Sequence, residues 1–216
     1  MKVSINLATY NRKILLRNTL DSILRQTQDL KTKAGHEVEI VVIDDGSTDD
    51  TYEWVKHNYS FVVIETTGNQ DYNATANVPY NRAAEISTGQ VIIQQNAETF
   101  HWSLDTIDKL VAAVGKKKAV FPTCFNLPSN PFEVTQEVLD NLNNERTQAT
   151  LMYCGIARKV AWFFCGVILK EDWDRLGGYG DIRPVDVNFA KLMEDDGFKF
   201  EWLEDTFTIH QSHNKG

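Results

Sequence analysis

Cysteine is scarce. The 216 residues hold three, Cys124, Cys154 and Cys165, scattered and without a CxxC pair. That excludes a disulfide framework and a thiolate zinc site, and it fits reduced thiols, so a cytoplasmic location is the expectation. With five prolines and twelve glycines, no stretch reads as a low-complexity linker. Long apolar runs are missing too: none approaches the roughly 20 residues of a spanning helix. The opening Met1-Lys2-Val3-Ser4-Ile5-Asn6 turns polar too soon for a signal peptide. Basic residues are outnumbered, 22 against 30 acidic ones, for a formal net charge of -8, which disfavours a general nucleic-acid binder. One basic run, Lys116-Lys117-Lys118, reads as a solvated helix end or loop.

What is present is ordinary soluble material, 42% apolar and 24% charged, in a length that suits one buried core. Short apolar runs alternate with helical patterns, the signature of βαβ units and a mainly parallel sheet. Strands are expected at 3–8, 39–44, 61–65, 91–93, 119–121, 162–169 and 198–203. Leu16, Leu20, Ile23 and Leu24 stand at helical spacing, as do Ile107, Leu110, Val111 and Val114. Further helices are expected from near Ser47 or Asp49, over 78–87, and after Pro184. The stretch 123–146, with prolines, asparagines and one amphipathic segment, takes no assignment. Nothing marks a repeat or a boundary, so 1–216 reads as a single domain.

Open parallel sheets bind ligands at the carboxyl ends of their strands. Three such ends are polar here: Thr9-Tyr10-Asn11-Arg12, Asp44-Asp45 and Asn96-Ala97-Glu98. They would gather a ring, carboxylates and a metal ligand along one edge. Tyr10 can cover a base, and Asp45 can accept the imide hydrogen of uracil. The plainer alternatives are a half-buried aromatic for Tyr10 and turn or cap duty for Asp44 and Asp45.

In combination these blocks are more specific. Val3-Ser4-Ile5-Asn6-Leu7-Ala8-Thr9-Tyr10-Asn11-Arg12, followed by Asp44-Asp45-Gly46-Ser47-Thr48-Asp49-Asp50-Thr51, resembles the family 2 glycosyltransferases, whose N-terminal halves typically read VSIIIPTYNR and VDDGSxDxT. Asn81, Ala83, Ser87 and Gly89 keep the spacing of a third block, which leads into Asn96-Ala97-Glu98 in place of the D-x-D triplet. Phe164-Cys165-Gly166-Val167 through Trp173, Leu176, Gly177, Gly178 and Tyr179 is similar to the acceptor-side segment. Thr208-Ile209-His210-Gln211-Ser212-His213 resembles the closing Y-H-x-x-H.

The resemblance covers nearly the whole chain and implies a GT-A fold, a Rossmann-like α/β domain with a mainly parallel central sheet flanked by helices. It implies a donor half, 1–98, that binds a nucleotide diphosphate sugar (UDP-sugar favoured), and an acceptor half, 99–216. Donor contacts would come from Ala8, Thr9, Tyr10, Arg12, Asp45, Asn81, Asn96 and Glu98. A divalent cation, Mn2+ or Mg2+, would sit on Glu98 and His210, with His213 behind them. Trp162, Gly166, Gly178 and Asp181 would face a glycan or other hydroxyl-bearing acceptor. An enzyme acting on a lipid-linked acceptor would have to meet the membrane peripherally or through a partner.

Two departures matter. Asn96 in the triplet can hydrogen-bond a ribose but is not a carboxylate, so metal binding should lean on the donor's phosphates. The family's E-D pair is Val185-Asp186 here, with Val185, Phe189, Leu192 and Met193 on one helical face and Asp186 turned from it. Asp186 is either a helix-start acid or the general base for an inverting transfer, with Asp181 as fallback. His210 is either an ordinary surface histidine or the further metal ligand. A catalytically silent GT-A module is the main rival reading. A nucleotidyltransferase would carry a glycine-rich phosphate loop that Thr9-Tyr10-Asn11-Arg12 lacks.

Overall fold

A computed structural model describes residues 1–69, 77–126, 156–158 and 164–211. In these, eleven strands form one sheet: β1 (Lys2–Thr9), β2 (Thr27–Gln28), β3 (Lys31–Thr32), β4 (Glu37–Asp44), β5 (Val63–Thr66), β6 (Val91–Asn96), β7 (Thr99–His101), β8 (Lys118–Asn126), β9 (Ile156–Arg158), β10 (Cys165–Leu169) and β11 (Lys199–His210). Six helices pack on it: α1 (Lys13–Leu24), α2 (Thr51–Asn58), α3 (Asn77–Ile86), α4 (Thr106–Ala113), α5 (Lys170–Leu176) and α6 (Val185–Asp195). The main order is β2-β3-β4-β1-β6-β10-β8-β11-β7, with β5 beside β4 and β9 beside β8. Pairs β5/β4, β4/β1, β1/β6 and β8/β11 are parallel, while β10 runs antiparallel between β6 and β8. This is the mixed α/β, parallel-cored domain that the sequence implies.

Alternation along the strands sets the layers. Val3, Ile5 and Leu7 join Val38, Ile40 and Val42 in one core, which Leu16, Leu20 and Ile23 of α1 and Ile107 and Leu110 of α4 complete. Each such side chain taken from water stabilises the fold by about 1.5–3 kcal/mol. The other face of β4, Val41 and Ile43, takes Ala83 of α3. Further along, Ile92, Phe121 and Ile168 pack with Trp173, Tyr179, Phe189 and Met193 under α5 and α6.

The block read at Asn81, Ala83, Ser87 and Gly89 is a set of packing fits. The Ser87 hydroxyl donates to Asn6 Oδ1 at 2.8 Å. A Cβ on Gly89 would lie 2.7 Å from the Ser4 backbone nitrogen and 2.9 Å from the Lys2 carbonyl oxygen, so only glycine fits. Gly178, at φ +70, likewise leaves room for the Asn81 amide.

The late strand runs further than the expected 198–203. After a register shift between Leu203 and Phe207, β11 continues to His210 and pairs antiparallel with β7, placing His210 opposite Thr99. The short strands β2, β3, β7 and β9, two or three residues each, are too brief to show an alternation in the sequence. Strand β10 begins at Cys165, and Trp162 lies outside the described residues, as does His213. Among the described residues no helix is long and apolar enough to cross a membrane.

Candidate active site

Register brings the motif residues together. Thr9 pairs with Asp44, and Ala8 with Asn96, so the carboxyl ends of β4, β1 and β6 lie side by side. The loop after β1 is stapled to the loop after β4. Ser47 Oγ accepts from the Asn11 amide at 2.8 Å, and Asn11 Oδ1 accepts from the Thr48 amide at 2.7 Å. Asp49 accepts from the amides of Lys13 and Thr51, capping the starts of α1 and α2 from outside. A hollow of ≈ 670 Å³ opens above these ends. That size is in the roughly 300–1,000 Å³ range of small-molecule sites.

Eight residues picked from sequence line it: Ala8, Thr9, Tyr10, Arg12, Asp45, Asn96, Glu98 and, from the start of α6, Asp186. Pro79, Tyr80, Arg183, Pro184 and Val185 complete the wall. Of these, Tyr80 was legible only as an α3 residue one turn before Ala84. Arg183 carried no sequence signal beyond standing three residues before Asp186.

The adjacent acids Asp44 and Asp45 divide their duties. Asp44 is 2% exposed and accepts from the Ser47 amide at 3.1 Å and from the Ser47 hydroxyl, which is turn duty. Burial raises its carboxyl above the ordinary value against those bonds. Asp45 faces the hollow, its oxygens accepting from the Thr67 hydroxyl at 2.6 Å and from Asn69 Nδ2 at 3.4 Å.

Tyr80 orients Asn96. Its hydroxyl donates to Asn96 Oδ1 at 2.6 Å, which leaves the amide NH2 as the end free to meet a ligand oxygen. Burial, and then the charge of Glu98, push the Tyr80 phenol far above its ordinary value, so it stays a donor.

Glu98 is 4% exposed. Arg12 Nη1 forms an ion pair with its Oε1, and His210 Nε2 lies 3.4 Å from that same oxygen. The Gln211 amide donates to the Glu98 carbonyl at 2.8 Å, tying the end of β11 to the triplet. The His210 ring packs on Phe164 at a tilt of 35°, with centroids 4.4 Å apart. Among the described residues no three His, Cys, Asp or Glu side chains gather as a metal set. Glu98 and His210 would supply two ligands to a hard cation there, and the remaining positions would fall to a donor's phosphate oxygens and water.

The structure does not bring every expected residue to the hollow. Asn81 lies outside the wall: its side-chain amide donates to the Tyr179 carbonyl at 2.8 Å and its Oδ1 accepts from the Tyr179 backbone amide at 2.9 Å, latching α3 to the turn after α5. Asp181 accepts from Asn77 Nδ2 at 2.7 Å. Gly166 pairs with Gln94 within the sheet, and Gly178 packs against Asn81 and Trp173, so neither lines the wall.

Residues 4–171 match the family model described as Glycosyl transferase family 2. The chain belongs to that family. A poly(ribitol-phosphate) beta-glucosyltransferase of Bacillus spizizenii is 31% identical over 104 residues, 46% of this family 2 chain and 15% of the relative. The mannosyltransferase PcManGT of Pyrobaculum calidifontis, solved with GDP-Man and Mn2+, superposes with a TM-score of 0.67 at 19% identity, over 99% of this chain and 58% of that one. The S. aureus TarS 1-349 structure with UDP-GlcNAc gives 0.67 at 15% identity, over 99% and 60%. The chain thus spans about three fifths of those solved chains. At these identities the superpositions establish a shared fold.

Proposed function

We propose that this family 2 domain is an inverting glycosyltransferase acting on a nucleotide diphosphate sugar, with UDP as the nucleotide. One observation carries the reading: acids, a ring and a guanidinium from four separate sequence blocks line one hollow at the carboxyl ends of parallel strands. Residues 1–98 supply most of that wall and 99–216 the start of α6, so donor and acceptor halves meet at the hollow.

Tyr10 covers the base and Asp45 accepts the uracil imide hydrogen. The Asn96 amide donates to the ribose, and Arg12 offsets diphosphate charge. A divalent cation held by Glu98 and His210 would neutralise charge on the departing diphosphate. Asp186 takes the proton of an acceptor hydroxyl as that oxygen attacks the anomeric carbon. The new C–O bond forms as the bond to the diphosphate breaks, and the nucleotide leaves with the electron pair. One base on one face of the sugar gives inversion. The acceptor is a glycan or another hydroxyl-bearing molecule.

A titration with UDP and GDP, with and without Mn2+, followed by donor hydrolysis, tests the reading. UDP binding with turnover supports it. The pairing of Glu98 with Arg12 favours a second reading, a silent module that binds donor for a partner. Binding without turnover over many donors would select that one.

A further inference from the structure

We propose that Arg12 is an internal counter-ion that holds Glu98 until a diphosphate arrives, making cation uptake at Glu98 and His210 dependent on nucleotide. The inference rests on the donor-site reading above.

A carboxylate as buried as Glu98 is costly to leave without a positive neighbour. Arg12 supplies that charge from the loop after β1. The oxygen that meets Arg12 is the one that faces His210 Nε2 at 3.4 Å. A divalent ion ligated by Glu98 and His210 would therefore stand against the guanidinium, with like charges a few ångströms apart. Repulsion between the two cations weakens metal binding there unless an anion comes between them.

A diphosphate is such an anion, and a planar guanidinium grips phosphate oxygens well. Arg12 can change partner without moving the loop. Its carbonyl accepts from the Leu16 amide at 2.8 Å, and the preceding Asn11 is held by Ser47 and Thr48. The side chain itself remains about a quarter exposed, at 24%, and lines the hollow. The expected sequence is nucleotide first, Arg12 onto phosphate, then metal onto the released carboxylate.

The test is Mn2+ uptake by the full chain, read from the paramagnetic resonance of the free aquo ion, with and without UDP. Metal bound by UDP in the absence of protein is subtracted. The parent chain should take up Mn2+ at least ~10-fold more tightly when UDP is present, within the span of measured coupling between sites. Arg12→Gln should bind Mn2+ several-fold more tightly than the parent without UDP, and should show less gain when UDP is added. Arg12→Lys, which keeps the charge but not the planar fork, should bind nucleotide-free Mn2+ no better than the parent. Equal Mn2+ affinity of the parent with and without UDP overturns the proposal whether or not any variant folds. So does an Arg12→Gln chain that folds and binds nucleotide-free Mn2+ no better than the parent. UDP binding without Mn2+ uptake by any form defeats the counter-ion role but leaves the donor pocket standing, whereas failure to bind UDP at all defeats both.

Discussion

The two ends of the same three parallel strands use carboxylates in opposite ways. At the amino end, Glu39 of β4 accepts from Ser4 Oγ at 2.6 Å, from the Thr88 amide at 2.8 Å and from the Thr88 hydroxyl at 2.6 Å, and pairs with Lys2 Nζ at 2.9 Å. At the carboxyl end, Asp45 and Glu98 border an open hollow and are joined there by Asp186. The amino end locks strands to the turn before β6. The carboxyl end keeps charge where a ligand can reach it. Residue type alone does not separate the two; what separates them is which end of the strand the acid stands on and how many donors of the fold converge on it.

The sharpest break in that comparison is expected at Asp186. Asp186→Asn should leave UDP affinity nearly unchanged and lower turnover by at least about a hundredfold, the usual worth of a general base. Calorimetric UDP binding beside a transfer assay separates the two effects. Turnover equal to the parent's would remove Asp186 from the chemistry.

Asp45 and Asp44 refine the contrast within a single motif. Losing a charged hydrogen bond costs about 1.5–3 kcal/mol, so Asp45→Ala should weaken UDP binding by roughly tenfold or more. Its neighbour should behave like a stability residue. Asp44→Ala removes two bonds from Ser47, expected to cost about 1–2 kcal/mol as for a lost cap. For a chain of this size each kcal/mol moves Tm by about 2–4 °C. A thermal melt of both variants, set beside their UDP isotherms, decides the matter. If Asp44→Ala loses more affinity than Asp45→Ala, the division of labour is wrong.

Much of this was legible because strand alternation and turn chemistry are local. The run from Val3 to Thr9 and the acids after β4 announce a strand end, and the parallel register then makes Asp45 and Asn96 neighbours without any further choice. His210 was legible only through the family likeness. Its approach to Glu98 depends on β7, three residues long, and on a register shift in β11, neither of which carries periodicity. Asn81 shows the opposite limit. Its spacing with Ala83, Ser87 and Gly89 is kept because all four are packing positions, and spacing cannot say whether a polar side chain turns to a ligand or to the backbone of Tyr179. Arg12 is legible as a donor contact; its ion pair with Glu98 needs the third dimension.

The smallest effect is expected at the amino end, where it also tests the other half of the comparison. Burial works to raise the Glu39 carboxyl, but the bonds from Ser4, Thr88 and Lys2 outweigh it and hold the group at about 2, below its ordinary 4.5. A depressed value means that the folded state gains from the ionised form. That gain is complete above pH 4.5, where the unfolded chain is ionised as well, and it fades as pH falls toward 2. Glu39→Gln should therefore be less stable than the parent at pH 6.5, and the gap should narrow at pH 4 and again at pH 3. Urea unfolding of both chains at these three values measures it. A gap that stays constant with pH would mean that Glu39 acts by shape and neutral hydrogen bonding, and the charge contrast between the strand ends would lose its amino-end member.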